Sequence, residues 1–285
     1  CIMGVKDLYT NSRYQYLYPE AAYGGWHQFA PYNELVKEYF CTDGKDIKTS
    51  EVYDENDPYA NRDLRLYASV FLPPLGSYPG TKYNDITYDC FKGANTSDYY
   101  NKFALFNGYC PKKGCDPSII NNLGATPTYT PIMRYAEVLL SYLEALNEAQ
   151  PSAVDQDILD LTINDIRDRV KLTKLEKANM SQELIRGAVR KERRVELAFE
   201  GLRYYDVLRW GIAEKELNHT FTGVKLSDDP KARNYRGSGT AASPVDEDMY
   251  YQFEKRTWSP HNRYFPIPQN DLNVNKNLKQ NTGYN

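Results

Sequence analysis

One charged stretch in the second half of the chain carries acidic and basic side chains at spacings that could do chemistry. It reads RKERRVELAFEGLRYYDVLRWG and covers residues 190–211. Glu192 and Glu196 stand one helical turn apart, and a pair of carboxylates is what a glycosidase uses as acid and base. Further charged candidates follow in the same stretch: Glu200, Arg203, Asp206 and Arg209. These residues either catalyse a reaction or hold the architecture together.

Helical periodicity favours the structural interpretation. At about 100° per residue, Glu192 and Glu196 fall on the same face as apolar positions such as Ile185 and Val189. A lone carboxylate on a buried face is costly, so we expect guanidinium partners. The donors expected within the stretch are Arg203, Arg209, and Arg193 or Arg194. They would hold both acids ionised, whereas acid–base catalysis needs pKa values that lie apart.

We therefore predict a structural ion-pair network that contains Glu192, Glu196, Arg203 and Arg209, and no catalytic residue. The alternative, in which the two carboxylates act on a glycosidic bond, would require an open cleft between them.

Aromatic side chains form the second set with chemical potential, because a tyrosine offers a flat apolar face and a hydroxyl group. The chain has 26 Tyr, 10 Phe and 3 Trp, which raises the expectation of a recognition surface. Rings beside Gly, Pro, Ser or Asp tend to lie in turns, where they stay accessible. The candidates for ligand binding on this basis are Trp26, Tyr78, Tyr99, Tyr100 and Trp258. Trp210 lies within the charged stretch, and we expect it to be buried.

The cysteine and histidine pattern gives no sign of a metal site or a cofactor. The three histidines are scattered singly, and CPKKGC at 110–115 lacks the spacing of a CxxC motif. Cys110 and Cys115 leave two alternatives, a small disulfide loop in an oxidising compartment or two thiols. The net charge of −3 provides no basic stripe for nucleic acid, and no apolar run reaches the roughly 20 residues that span a bilayer.

Composition divides the chain into three regions. Residues 1–130 are rich in loops and face the ligand in our interpretation, with a short helix predicted at 31–40 and a strand at 64–72. Residues 131–211 form a helical scaffold, and residues 212–285 form an irregular region packed back on it. Within that last region, RYFPIPQNDL at 263–272 is predicted to be an extended edge segment pinned to the core.

The helical scaffold is predicted in more detail. Pro131 is expected to start the first helix, and Pro151 is expected to end it. Ser152 and Asp155 resemble a capping box for a second helix, so that the two helices form a hairpin of the kind that stacks in repeat proteins. A third helix is expected from about Ser181 to Phe199, and a short fourth helix over 202–210.

Several blocks of sequence, in order, resemble the SusD/RagB family. They are APYNELVKEYF (30–40), YANRDLRLYASV (59–70), RYAEVLLSYLEALNE (134–148), KERRVELAFEGLRYYDVLRWG (191–211) and FPIPQNDLNVNKNLKQNTGY (265–284). The resemblance implies a mainly α fold of TPR-like helical hairpins, a SusD-like α-α superhelix, with a large loop-rich region and a few short strands.

The resemblance also implies a function. Members of the family are lipid-anchored proteins on the outer-membrane surface of Bacteroidetes, and they bind nutrients without catalysis. An oligosaccharide ligand and a SusC-like TonB-dependent transporter as partner are therefore expected. A peptide ligand is the alternative within the family. A glycoside hydrolase and a helical-repeat interaction protein are the alternatives from other classes.

Because family members are longer, we expect that the N-terminal helical half and the lipid anchor precede this chain. The helical faces of 131–171 and 181–199 offer more apolar surface than they cover for each other. We therefore expect the chain alone to be poorly soluble or to need that N-terminal half.

Overall fold

A computed structural model describes residues 2–7, 25–26, 28–73, 90, 107–116, 128–226 and 244–284. Three of the candidate rings, Tyr78, Tyr99 and Tyr100, lie outside the described residues.

Helices dominate the described part of the chain. They are α1 (Asn33–Val36), α2 (Leu64–Ser69), α3 (Tyr135–Ala149), α4 (Gln156–Leu161), α5 (Ile163–Arg169), α6 (Gln182–Glu196), α7 (Arg203–Arg209), α8 (Ala213–Leu217) and α9 (Gln269–Val274). Short 3-10 helices cover Pro151–Ala153, Lys177–Asn179 and Pro260–Arg263. The prediction of a mainly helical fold with helical hairpins is confirmed.

The strands are short and pair in twos, all antiparallel. They are β1 (Met3–Asp7) with β4 (Thr128–Met133), β2 (Val70–Phe71) with β3 (Cys110–Pro111), and β5 (Thr220–Lys225) with β6 (Tyr250–Lys255).

The predicted hairpin is present, and α3 packs against α6 across a shared apolar core. That core contains Leu140, Leu143, Leu159, Ile163, Ile185 and Val189. The predicted second helix is divided into α4 and α5 at Thr162, whose backbone leaves the helical region at ψ −97°. The Asp155 side chain caps α4 by accepting from the Ile158 N–H at 2.9 Å, whereas Ser152 lies in the preceding 3-10 helix.

The prediction that Pro131 starts a helix is wrong. Pro131 lies in β4 opposite Gly4, and β1 keeps the chain extended as far as Met133. Arg134 still has extended backbone angles, so the helix begins at Tyr135.

The prediction of a strand over 64–72 is also wrong for most of its length. The Asp63 carboxylate accepts from the Arg65 N–H at 2.9 Å and so starts α2, and extended structure begins only at Val70. A carboxylate in this N-cap position satisfies one of the free N–H groups of the first turn. Helix α2 then places Leu66 in a second core beside Tyr39 and Phe71.

After residue 211, where the sequence predicts loops, the structure forms α8 and the β5–β6 pair. Phe221 and Val224 of β5 are buried, and Tyr250 and Tyr251 of β6 are buried with them. Strand β5 of this pair packs against α1, which lies far from it in sequence.

The segment 263–272 is not an edge strand. Pro268 precedes α9, and Phe265 is 77% exposed rather than packed on the core. A residue that follows in sequence holds this segment in place. The Gln280 side chain accepts from the Ile267 N–H at 2.8 Å and donates to the Ile267 carbonyl oxygen at 2.9 Å.

In CPKKGC, Cys110 is buried in β3 and the Cys115 thiol donates to the Pro111 carbonyl oxygen at 3.9 Å. This geometry corresponds to the thiol alternative.

Candidate functional site

The two carboxylates of the charged helix are buried at the centre of an arginine network. Glu192 is fully buried and Glu196 nearly so, both on α6. One nitrogen, Nη1 of Arg65, lies 2.5 Å from Glu192 Oε1 and 3.0 Å from Glu196 Oε2. This guanidinium therefore occupies the space between the acids where a reacting oxygen would have to lie.

Each carboxylate has further arginine partners. Arg167 lies 3.2 Å from Glu192. Arg169 and Arg134 lie 2.6 and 2.9 Å from Glu196. The Arg65 guanidinium is held from the other side by Asp63 at 2.7 Å.

The prediction that Arg203 and Arg209 pair with Glu192 and Glu196 is wrong. Arg203 binds Glu216 at 2.6 Å, and Arg209 binds Glu144 at 2.5 Å. The other two expected donors also bind elsewhere: Arg193 binds Asp206, and Arg194 binds Glu38 and Glu216. Helix α7 follows α6 so closely that its arginines reach the neighbouring acids of α3 and α8 instead.

The electrostatics of the network favour the ionised form of Glu196. Burial opposes the charge of Glu196, but Arg169 and Arg65 outweigh burial and hold the pKa of Glu196 below its ordinary value. This is the arrangement of an ion pair rather than of a general acid, whose pKa would be raised.

A stability change with pH follows from this lowered pKa. A carboxyl group whose pKa is lower in the folded than in the unfolded protein stabilises the fold above its unfolded pKa, about 4.3 for glutamate, and loses that contribution as the pH falls further. We expect denaturant midpoints to fall steeply below about pH 4.3, and less steeply in Glu196→Gln. The same slope in both proteins would contradict the role of Glu196, and exposed Glu183→Gln on the same helix is the control.

Trp210 is half-buried rather than fully buried, and it is held by polar contacts. Its Nε1 donates to Glu144 at 2.7 Å, and the guanidinium groups of Arg190 and Arg209 lie 5.0 and 4.8 Å from its ring centroid. The side chain therefore joins the end of α7 to α3 through a hydrogen bond and to α6 through a cation–π contact.

Of the candidate rings in the described part, Trp26 is 39% exposed and Trp258 is half-buried. The Trp258 backbone is anchored by the Asn218 amide, which donates to its carbonyl oxygen at 2.9 Å. Its indole Nε1 is buried and donates to no described residue. Neither ring lines the cavity beside the β5–β6 pair or the cavity between α1 and the turn that joins α6 to α7.

A polar cavity of about 710 Å³ lies between the 47–56 turns and the β5–β6 pair. Tyr53 and Tyr250 line it. Burial raises the pKa of both hydroxyls, so both rings are neutral hydrogen-bonding groups.

Strand pairing and a tight turn position this cavity. Lys225 at the end of β5 lies opposite Tyr250, and its ammonium donates to the Glu55 carbonyl oxygen at 3.0 Å. Met249 has φ +69°, and the Asp246 carboxylate holds the turn by accepting from the Tyr250 N–H at 2.8 Å. A residue other than glycine at positive φ has a strained backbone, and such residues often occur where the surrounding structure fixes the position of adjacent side chains.

The charges around the polar cavity balance. Three ammonium groups and three carboxylates line it: Lys37, Lys48, Lys225, Glu55, Glu247 and Asp248. Lys37 also lies over the Tyr250 ring, 4.0 Å from its centroid. Such a site offers many donors and acceptors without net charge, which favours a neutral, polyhydroxylated ligand.

The sequence interpretation missed both tyrosines of this cavity. Tyr53 stands beside Asp54 in EVYDEND, so the same rule that selected Tyr99 could have selected it. Tyr250 follows a turn but lies in a strand, and nothing local distinguishes it from a core residue.

An exposed aromatic cluster was missed as well. It consists of Tyr204 and Tyr205 on α7 with Phe265, whose ring centroid lies 6.3 Å from that of Tyr204. Exposed rings of this size are places where another molecule can stack.

The model of the SusD family matches residues 4–284, almost the whole chain. The chain belongs to the SusD family. A SusD-like carbohydrate binding protein from Bacteroides fragilis has a similar structure, with 28% identity and a TM-score of 0.79 over 98% of this chain and 54% of its own. A second SusD-like protein from the same species has 27% identity and a TM-score of 0.68 over 92% of this chain and 48% of its own.

Among curated proteins, SusD-like protein P2 of Formosa agariphila is 39% identical over 95 residues, which are 31% of this chain and 18% of that protein. The chain thus spans about half the length of the solved SusD-like structures it resembles. No helix in the described part is long and apolar enough to cross a membrane.

Proposed function

We propose that the chain binds oligosaccharides without cleaving them and delivers them to a SusC-like TonB-dependent transporter at the surface of the outer membrane. The polar cavity carries this proposal, because two neutral tyrosines, the Asn56 amide and balanced charges suit a neutral sugar. The similar Bacteroides fragilis structure, described as a carbohydrate binding protein, supports it.

The absence of catalysis is part of the proposal. Its support is the position of Arg65 between Glu192 and Glu196, since a guanidinium there leaves no room for a glycosidic oxygen. A peptide ligand is the second candidate within the family, and a hydrolase using other acids is the candidate from another class.

The lipid anchor and the outer-membrane location belong to the proposal for the whole protein. The rings Trp26, Tyr78, Tyr99, Tyr100 and Trp258 stay predictions as ligand contacts.

Substitution in the polar cavity tests the site. Tyr53→Ala removes a ring from the wall of the cavity, and we expect oligosaccharide affinity to fall about tenfold or more, the equivalent of roughly 1.4 kcal/mol. Isothermal titration with the oligosaccharide that the parent protein binds most tightly provides the measurement, and the melting temperature checks the fold.

Phe265→Ala is the matched control, since it removes a ring from the exposed aromatic cluster outside the cavity. If Phe265→Ala abolished binding while Tyr53→Ala bound like the parent, the sugar would lie on the aromatic cluster and not in the cavity.

A further inference from the structure

A second cavity of about 410 Å³ shares no lining residue with the polar cavity. Residues of α1, of the turn between α6 and α7, and of β5 line it. Its wall is mainly apolar and includes Tyr32, Leu197 and Phe221. Apolar walls with a few polar groups are typical of small-molecule sites.

Phe199 in the wall of this cavity has an unusual backbone. Its φ is +66°, and a bulky side chain is rarely found in this region. The residue is nevertheless 38% exposed, so it does not owe this backbone conformation to a place in the buried core. Strained residues of this kind cluster at ligand sites, where the surroundings hold a side chain in a set position. The strain at Phe199 therefore points to the cavity as a binding site.

Guanidinium groups give the cavity its polar character. Arg256 lies over the rings of Tyr32 and Phe221, with its Cζ 5.2 and 5.7 Å from their centroids. The Glu254 carboxylate lies 3.1 Å from Nε of Arg256, and 48% of the Arg256 side chain stays exposed. The group thus stands beside apolar rings with surface available to a ligand.

The second guanidinium, that of Arg203, pairs with Glu216 at 2.6 Å. Arg194 lies 3.3 Å from the same carboxylate and also pairs with Glu38 at 3.2 Å. Burial and then the charge of Arg194 hold the pKa of Arg203 below its ordinary value. The remaining acid of the wall, Glu34, accepts hydrogen bonds from Thr222 instead, at 3.0 and 2.9 Å. Three arginines and two glutamates line the cavity, so its wall carries one more positive than negative side chain, and an anionic group would find an opposite charge there.

We propose that this cavity binds a small amphipathic carboxylate. The apolar part of the ligand lies against Tyr32, Leu197, Phe221 and the Phe199 ring, and the carboxylate meets the guanidinium groups of Arg203 and Arg256. Arginine suits this role because its planar fork matches both oxygens of a carboxylate and its face stacks on aromatic rings. The site is independent of oligosaccharide binding.

The test uses 4-phenylbutyrate, with its neutral amide and 4-phenylbutylamine as comparison ligands, in titrations of the whole chain. We expect the acid to bind about tenfold more tightly than the amide, as a charged hydrogen bond would give. The amine should bind most weakly. Arg203→Gln and Arg256→Gln should each reduce the preference for the acid over the amide.

Phe199→Gly separates binding from folding. Glycine adopts a positive φ at no steric cost, so the melting temperature should stay the same or rise while affinity for the acid falls at least about fivefold. Tyr53→Phe, in the polar cavity, is the control and should bind 4-phenylbutyrate like the parent protein. Equal binding of acid and amide by the parent protein, lack of saturable binding, or unchanged affinity in Phe199→Gly would each overturn the proposal.

Discussion

A Glu192→Ala variant is expected to unfold with about 3–5 kcal/mol less free energy than the parent protein. The substitution removes one carboxylate and leaves Arg65 and Arg167 buried, each without one of its partners. An uncompensated buried charge is far more costly than the loss of an exposed ion pair. Urea denaturation followed by circular dichroism provides the measurement.

Glu183→Ala is the matched control on the same helix. Glu183 has an exposed side chain that pairs with Arg186 three residues away, and its loss should cost less than about 1 kcal/mol. If Glu192→Ala kept the stability of the parent but abolished an activity, Glu192 would be a catalytic residue and the structural interpretation would fail.

Leu140→Ala should destabilise the hairpin core by about 2–5 kcal/mol, since the side chain is fully buried between α3 and its neighbours. The loss combines the transfer free energy of the removed atoms with the cavity that remains. Leu184→Ala, at an exposed position on α6, should change stability by only about 0.5 kcal/mol.

The same urea titration measures both leucine variants. Equal effects at the two positions would show that Leu140 is not buried in the core shared by α3 to α6, and the packing of these helices would have to be reconsidered.

Local patterns predicted the long helices well. Apolar residues at helical spacing indicated α3 and α6, and Ser181 caps α6 by accepting from the Leu184 N–H at 3.2 Å. These features depend on neighbours in sequence, so a single sequence contains them.

Short elements were predicted less well, because a single cap or a single strand pairing determines whether a short stretch is helical or extended. The Asp63 side chain turns an apolar stretch into α2, and β1 holds Pro131 in a strand. Asp63 is a residue type that commonly caps helices, so the start of α2 could have been predicted. The extended conformation of Pro131 could not, because it depends on β1, more than a hundred residues away in sequence.

The burial of Glu192 and Glu196 followed from periodicity, but their partners did not. Arg65 lies 127 residues from Glu192 in sequence, and Arg134 lies 62 residues from Glu196. Arginines nearby in sequence, such as Arg203 and Arg209, were the expected partners, but these two lie on α7 and pair with Glu216 and Glu144. Long-range pairing of this kind leaves no local pattern.

The polar cavity likewise depends on residues that lie far apart in sequence. Tyr53 comes from a turn in the first quarter of the chain, and Tyr250 from β6. Tyr53 fits the rule that selected the candidate rings, but nothing local distinguishes Tyr250 from a core residue. Only the packing of the β5–β6 pair against the first region brings the two side chains to one cavity.

Retention of labelled neutral oligosaccharides tests the proposed function most directly. The whole chain is immobilised and titrated with a panel of oligosaccharides and, in parallel, a panel of peptides, and the eluted ligands are analysed for cleavage. We expect saturable binding of at least one oligosaccharide, recovered intact, with loss of binding in Tyr53→Ala. Cleaved sugar in the eluate, or saturable binding of peptides and of no oligosaccharide, would contradict it.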